Sequence, residues 1–171
     1  FSKESIRNII GVVPQQVDLF FCIVVENISI GDPAPDLARI INCSQQAGAA
    51  AFIDDLPEGY FSIIGENGNS LSGGQQQKIA IARALYRQPE VLVMDEATAH
   101  LDPLSERTIQ NTIRELKANG KTVIIIAHRL STILAADTIH VLKKGKLELS
   151  GTHQDLLVKS DYYAALWAAS E

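Results

Sequence analysis

At 171 residues the chain is long enough for one domain with a real core and hardly long enough for two. Its apolar fraction of 46% and charged fraction of 20% are those of an ordinary globular protein, and a net charge of −5 with no offsetting Lys/Arg cluster argues against a nucleic-acid partner. Cys22 and Cys43 stand in no disulfide-framework or zinc spacing, so both are expected as buried or half-buried small apolar residues, which fits the cytosol. The longest apolar run, LFFCIVV at 19–25, falls far short of the ~20 residues of a membrane span, and no charged-then-apolar signal pattern opens the chain.

In chain order, IIGVVPQ reads as a buried strand ending at Gln15. Residues 26–90 differ in character: DLARI, around Leu37, Ile40 and Ile41, and AAAFIDDL read as short helices punctuated by GDPAP and LPEGY. GENGNSLSGGQQQKIAIARALYRQP then predicts a Gly-rich loop feeding a helix. Ser72 caps that helix, Ile81, Ala84 and Leu85 face inward, Gln76, Arg83 and Arg87 form a polar stripe, and Pro89 ends it. VLVMDE is a second strand, ending on Asp95 and Glu96. LDPLSERTIQNTIRELKANG is a helix with Asp102 as cap, Pro103 at the tolerated first position, an Ile109, Ile113, Leu116 stripe, and Gly120 as stop. TVIIIAH is a third strand, ending at His128. DTIHVLKKGKLELSG predicts a hairpin turning at Lys144-Gly145, and helical segments follow. His140 and His153 sit in no motif and are expected on the surface.

Strand, helix, strand is the unit of a parallel sheet, and Val/Ile runs without alternation suit a sheet covered on both faces. In such sheets the ligand site lies beyond the carboxyl ends of the strands, where Gln15, Asp95, Glu96 and His128 would gather. Adjacent carboxylates at a strand terminus are costly unless a cation or a reacting water uses them. LSGGQ, residues 71–75, adds a capped helix start with unpaired N–H groups and glycines that let an anion approach.

LSGGQQQKIAIARAL, VLVMDEATAHLD and TVIIIAHRLST, in that order and spacing, resemble the nucleotide-binding domain of an ATP-binding cassette (ABC) transporter. VVPQ resembles that family's Q-loop and GTHQDLL its closing stretch, so the resemblance spans nearly the whole chain. It implies an α/β fold: part of a P-loop NTPase-like parallel sheet core, residues 1–15 and 91–171, with an inserted helical subdomain, 16–90, that carries the LSGGQ signature. It implies ATP and Mg²⁺ as cofactors. By resemblance Asp95 is the Walker B aspartate that helps hold Mg²⁺, and Glu96 the general base for the attacking water. His128 is the switch histidine on the γ-phosphate, Gln15 the glutamine that senses Mg²⁺ and water, and Asp102 the D-loop aspartate crossing the dimer interface. Ser72, Gly73, Gly74 and Gln75 would contact ATP held by a second nucleotide-binding domain packed head to tail. A transmembrane domain, in the same full-length polypeptide, would hold the assembly at the cytoplasmic face of the cell membrane.

The P-loop, GxxxxGK[ST], is expected upstream of VVPQ and is not in these residues. Gly120-Lys121-Thr122 does not replace it: residue 115 is Glu115 rather than glycine, and the turn joins helix to strand. The chain is therefore expected to be the C-terminal part of a longer polypeptide, binding ATP very weakly and turning over none when isolated. AGAAAFIDDLPEGYFSIIGENGNSLSGGQ resembles the exporter branch, especially toxin- and bacteriocin-secreting transporters. Gly65-Glu66-Asn67-Gly68 stands where a GERG-like element is usual, and Ala99-His100 replaces Ser-Ala. FFCIVVENI is either a docking surface for the membrane domain or simple core. Two other readings are a non-catalytic partner donating only its signature, and a soluble ABC protein acting on ribosomes or DNA.

Overall fold

Ser2 accepts a hydrogen bond from Ser5 N and so caps a short helix, α1 (Lys3–Ile9), which runs straight into strand β1 (Ile10–Val13). The computed structural model describes residues 2–65, 71–97, 101–126 and 133–169. Its contacts divide into two compact units, Phe1–Ile126 and Ala127–Glu171. The α1 helix is absent from the sequence-based expectation, because residues 3–9 hold too few turns for a helical apolar period to show.

In the first unit β1, β4 (Val91–Asp95) and β5 (Thr122–Ile126) form a three-stranded parallel sheet in the order β1-β4-β5. Val13 lies opposite Met94 and Asp95 opposite Ile126, so the strands finish along one edge. The helix between β4 and β5, α6 (Pro103–Ala118), has Asp102 as cap and Pro103 in its first turn. It buries Ile109, packs Ile113 and Leu116 against the core, and stops before Gly120 at φ +75°.

One face of the sheet is packed: Val13, Leu92 and Met94 are buried, with Val123 and Ile125 against the same core. A Cβ on Gly11 would sit 2.9 Å from Pro89 Cγ and 3.2 Å from the Ala84 carbonyl oxygen, so glycine is what lets β1 lie this close to the preceding helix end. The other face is only partly covered among the described residues, with Val91 and Val93 half-buried. Val12, Ile124 and Ile126 keep 57%, 50% and 49% of their surface exposed, where the sequence predicts cover.

Between β1 and β4 come a two-residue ribbon, β2 (Cys22–Ile23) with β3 (Ile63–Ile64), and three helices: α2 (Val24–Ile28), α3 (Leu37–Gln46) and α4 (Ala50–Asp54). A longer helix, α5 (Gly73–Tyr86), packs against α2, α3 and β1. The FFCIVVENI segment divides in two: Phe20 and Phe21 are exposed, while Val24, Val25 and Ile28 are core.

Arg83 does not join a solvent-facing stripe on α5. Its Nε donates to the Asn27 carbonyl at 2.8 Å, Nη1 to the Asp18 carbonyl at 3.2 Å, and Nη2 to Asn27 Oδ1 at 3.3 Å. Asn27 is fully buried, accepts from Phe20 N at 3.0 Å and donates to the Phe20 carbonyl at 2.9 Å. The loop after Gln15 forms no ladder of its own, so its main-chain groups need side-chain partners, and that need draws the guanidinium inward. Cys22 is half-buried and Cys43 buried, both as free thiols, in line with the composition.

The second unit holds the hairpin β6 (Ile139–Lys143) and β7 (Lys146–Gly151), then α7 (His153–Lys159) and α8 (Asp161–Ala168). Lys144 at φ +49° and Gly145 at φ +74° are the paired left-handed residues of a two-residue turn. His140 is exposed, as expected. His153 is not: its Nδ1 lies 2.9 Å from the Tyr163 hydroxyl and its ring 4.2 Å from Trp167. Tyr163 and Trp167 are one turn apart on α8, and they present a single aromatic face that covers the imidazole.

Candidate active site at the carboxyl edge of the sheet

Gln15 lies two residues past β1 and Glu96 one residue past β4, and they meet: Gln15 Nε2 donates to Glu96 Oε2 at 2.8 Å. Glu96 takes a left-handed backbone, φ +47°, while its N–H donates to the Ile126 carbonyl at 3.0 Å. That backbone region costs a non-glycine residue about 1–3 kcal/mol, and such strain concentrates where a side chain has to be aimed. The end of β5 fixes the main chain of Glu96, and the turn points its carboxylate at Gln15.

Asp95, half-buried, is the last residue of β4 and falls on the partly covered face, in line with Val91 and Val93 and opposite Ile126. Gln15 commits its amide nitrogen to Glu96, and its side-chain oxygen is the end of the amide not used in that bond. Among the described residues no three His, Cys, Asp or Glu side chains converge as a metal cage. An all-oxygen set with few carboxylates fits Mg²⁺, which takes one or two protein carboxylates and completes its shell with phosphate and water.

Ser72 and Gln75 close on each other: Gln75 N donates to Ser72 Oγ at 3.3 Å, and Ser72 N to Gln75 Oε1 at 2.9 Å. A Cβ on Gly73 would meet nothing within 4 Å. Among the described residues, none would be displaced by a side chain at residue 73. Gly74 beside it is half-buried in the first turn.

Asp102 accepts from Leu104 N at 3.1 Å, from Ser105 N at 3.0 Å and from the Ser105 hydroxyl, with Lys78 Nζ at 3.7 Å. The Ser105 hydroxyl and N–H, with the Lys78 cation, hold its carboxyl at about 2, below the ordinary 3.8. A depressed folded value favours the ionised native state, so this stabilisation is whole above 3.8 and disappears as pH falls toward about 2. Acid unfolding of the wild type should therefore show a loss across that window that Asp102→Asn lacks; parallel pH curves for the two would contradict it.

The structure thus joins Gln15 to Glu96, places Asp95 just before Glu96 at the end of β4, and sets Ser72–Gln75 and Asp102 at the starts of two helices. His128 lies outside the described residues, as do Thr98–His100 and Glu66–Ser70. Two residues that the sequence reading passed over are part of the framework. Gln77, 3% exposed, donates from Nε2 to the Pro14 carbonyl at 3.3 Å, and Lys78 reaches Asp102. A signal for Gln77 was present: with Ile81 and Ala84 it follows the i, i+4, i+7 spacing of the buried stripe.

The sequence profile of the ABC transporter family matches residues 2–99, more than half of the chain. The chain belongs to the ABC transporter family. A mitochondrial potassium channel ATP-binding subunit from Xenopus tropicalis is 48% identical over 158 residues, 92% of this chain and 23% of its own length. An ATP-dependent lipid A-core flippase of Saccharophagus degradans is 48% identical over 96% of this chain and 28% of its own length. The cyclolysin secretion/processing ATP-binding protein CyaB of Bordetella pertussis is 46% identical over 97% of this chain and 23% of its own length. A bacterial Atm1-family ABC exporter solved with ATP bound superposes with a TM-score of 0.91 at 43% identity, over 98% of this chain and 29% of the exporter chain. The α/β fold with its parallel sheet is therefore that of an ABC exporter nucleotide-binding domain, and the chain spans about a quarter of the length of these relatives.

Proposed function

We propose that this chain supplies the hydrolytic half of an ATP site in an ABC exporter, and donates its LSGGQ helix to the ATP of a second nucleotide-binding domain packed head to tail. The observation that carries the reading is the 2.8 Å bond between Gln15 and Glu96, which are 81 residues apart in sequence, at the strand edge beside Asp95. Gly73 supports the second half: a glycine at a helix start with open space around it among the described residues suits close approach from outside. Residues 1–15 and 91–171 form the core part of the domain, and 16–90 the inserted helical signature part.

Glu96 accepts a proton from the water that attacks the γ-phosphorus. The bond to the bridging oxygen breaks, and ADP and phosphate leave. Gln15 orients the Glu96 carboxylate, and His128 is assigned to the γ-phosphate. Asp95 and Gln15 Oε1 would hold Mg²⁺, whose contribution is to neutralise charge on the β- and γ-phosphates. Exposed Phe20, Phe21, Phe61 and Ile63 suit the docking of a transmembrane domain of the same polypeptide, which fixes the chain at the cytoplasmic membrane face. Names such as lipid A-core flippase and cyclolysin secretion protein, together with the Atm1-family match, support export, with a peptide, protein or lipid-like cargo.

The test is ATP hydrolysis by the full-length transporter in lipid vesicles. Turnover should require Mg²⁺, cease with EDTA and return when Mg²⁺ is added in excess. Turnover that is indifferent to EDTA would remove Asp95 from its role.

A further inference from the structure

We infer that Gln77 is a positioning residue and that α5 is a strut that fastens both edge loops of the active site to the signature motif of the same chain; this rests on the proposed ATPase reading. The signature runs into the first turn of α5, Gln76 folds back on the Leu71 carbonyl, and Gln77 and Lys78 after it each leave the helix for one edge loop. Gln77, buried, donates from Nε2 to the Pro14 carbonyl at 3.3 Å, and Pro14 is covalently joined to Gln15, whose amide holds Glu96. Lys78, with 16% of its side chain exposed, places Nζ 3.7 Å from Asp102 Oδ2 at the head of α6.

The Pro14 carbonyl has no ladder partner past the end of β1, so the Gln77 amide supplies its hydrogen bond. A glutamine buried on the apolar side of a helix costs desolvation unless each polar end is used, and here one end sets the height of the catalytic loop above the sheet. The helix thus holds the loop of Gln15 through Gln77, and Asp102 through Lys78, in register with Ser72–Gln75.

The test uses the full-length transporter with Gln77→Met, Lys78→Met and Lys78→Arg. In nucleotide-free protein, Gln77→Met should speed amide hydrogen exchange several-fold at residues 15–19, leaving α3 and α6 unchanged and the unfolding midpoint close to wild type. Its kcat should fall about ten- to a hundredfold, as sub-ångström misplacement of a base does, with KM for ATP within about twofold. Lys78→Met should lower kcat in the same manner, and Lys78→Arg should restore it. Unchanged exchange at 15–19, or a kcat loss no larger than the loss of folded protein, overturns the inference. The exchange result stands even if the wild type fails to hydrolyse ATP, which would sink the ATPase reading alone.

Discussion

Replacing Glu96 with glutamine in the full-length transporter should collapse ATP turnover by about 10²–10⁴-fold, the range that a positioned general base supplies, while nucleotide still binds. The change is nearly isosteric. The Gln15 amide that now donates to Glu96 Oε2 at 2.8 Å can donate to the new amide oxygen, so the edge keeps its shape. The left-handed backbone at φ +47° and the bond to the Ile126 carbonyl belong to the main chain and survive. What disappears is the proton acceptor. Binding of a labelled ATP analogue alongside steady-state phosphate release separates the two effects. Turnover at the wild-type rate would dismiss Glu96 as the base.

Arg83→Met should destabilise the fold by about 2–4 kcal/mol, the largest single effect expected outside the apolar core. Methionine fills much of the same volume, but it abandons the Asn27 and Asp18 carbonyls and Asn27 Oδ1. Asn27 is fully buried, so its acceptors have no water to turn to. The loss should appear as a lower urea midpoint with an unchanged slope. The damage should also spread toward the site, because Asn27 and Arg83 together hold the loop that begins at Gln15. A variant with the wild-type midpoint would show that solvent replaces the guanidinium without cost.

The parts of this architecture that the sequence disclosed are those carried by local chemistry. The cap and proline of α6, the capped Gly-Gly start of α5, and the Lys144-Gly145 turn each rest on a few adjacent residues whose backbone preferences are strong. The meeting of Gln15 and Glu96 at the strand edge followed from one rule about where parallel strands end. The parts it concealed depend on partners far along the chain. Arg83 looks like a surface cation until the bare carbonyls of residues 18 and 27 are next to it. His153 looks exposed until Tyr163 and Trp167 close over it, and Gln77 looks like one polar residue among three glutamines. Side-chain reach across such separations has no periodic signature.

The partly covered side of the β1-β4-β5 sheet has a consequence for assembly. Val12, Ile124 and Ile126 form an oily floor that ends at Asp95, so a segment that settles there is delivered against that carboxylate. Sealing that floor from water would carry a negative heat-capacity change, a calorimetric mark of docking. Concealment of that greasy surface and crowding of the Asp95 carboxylate would then be one event.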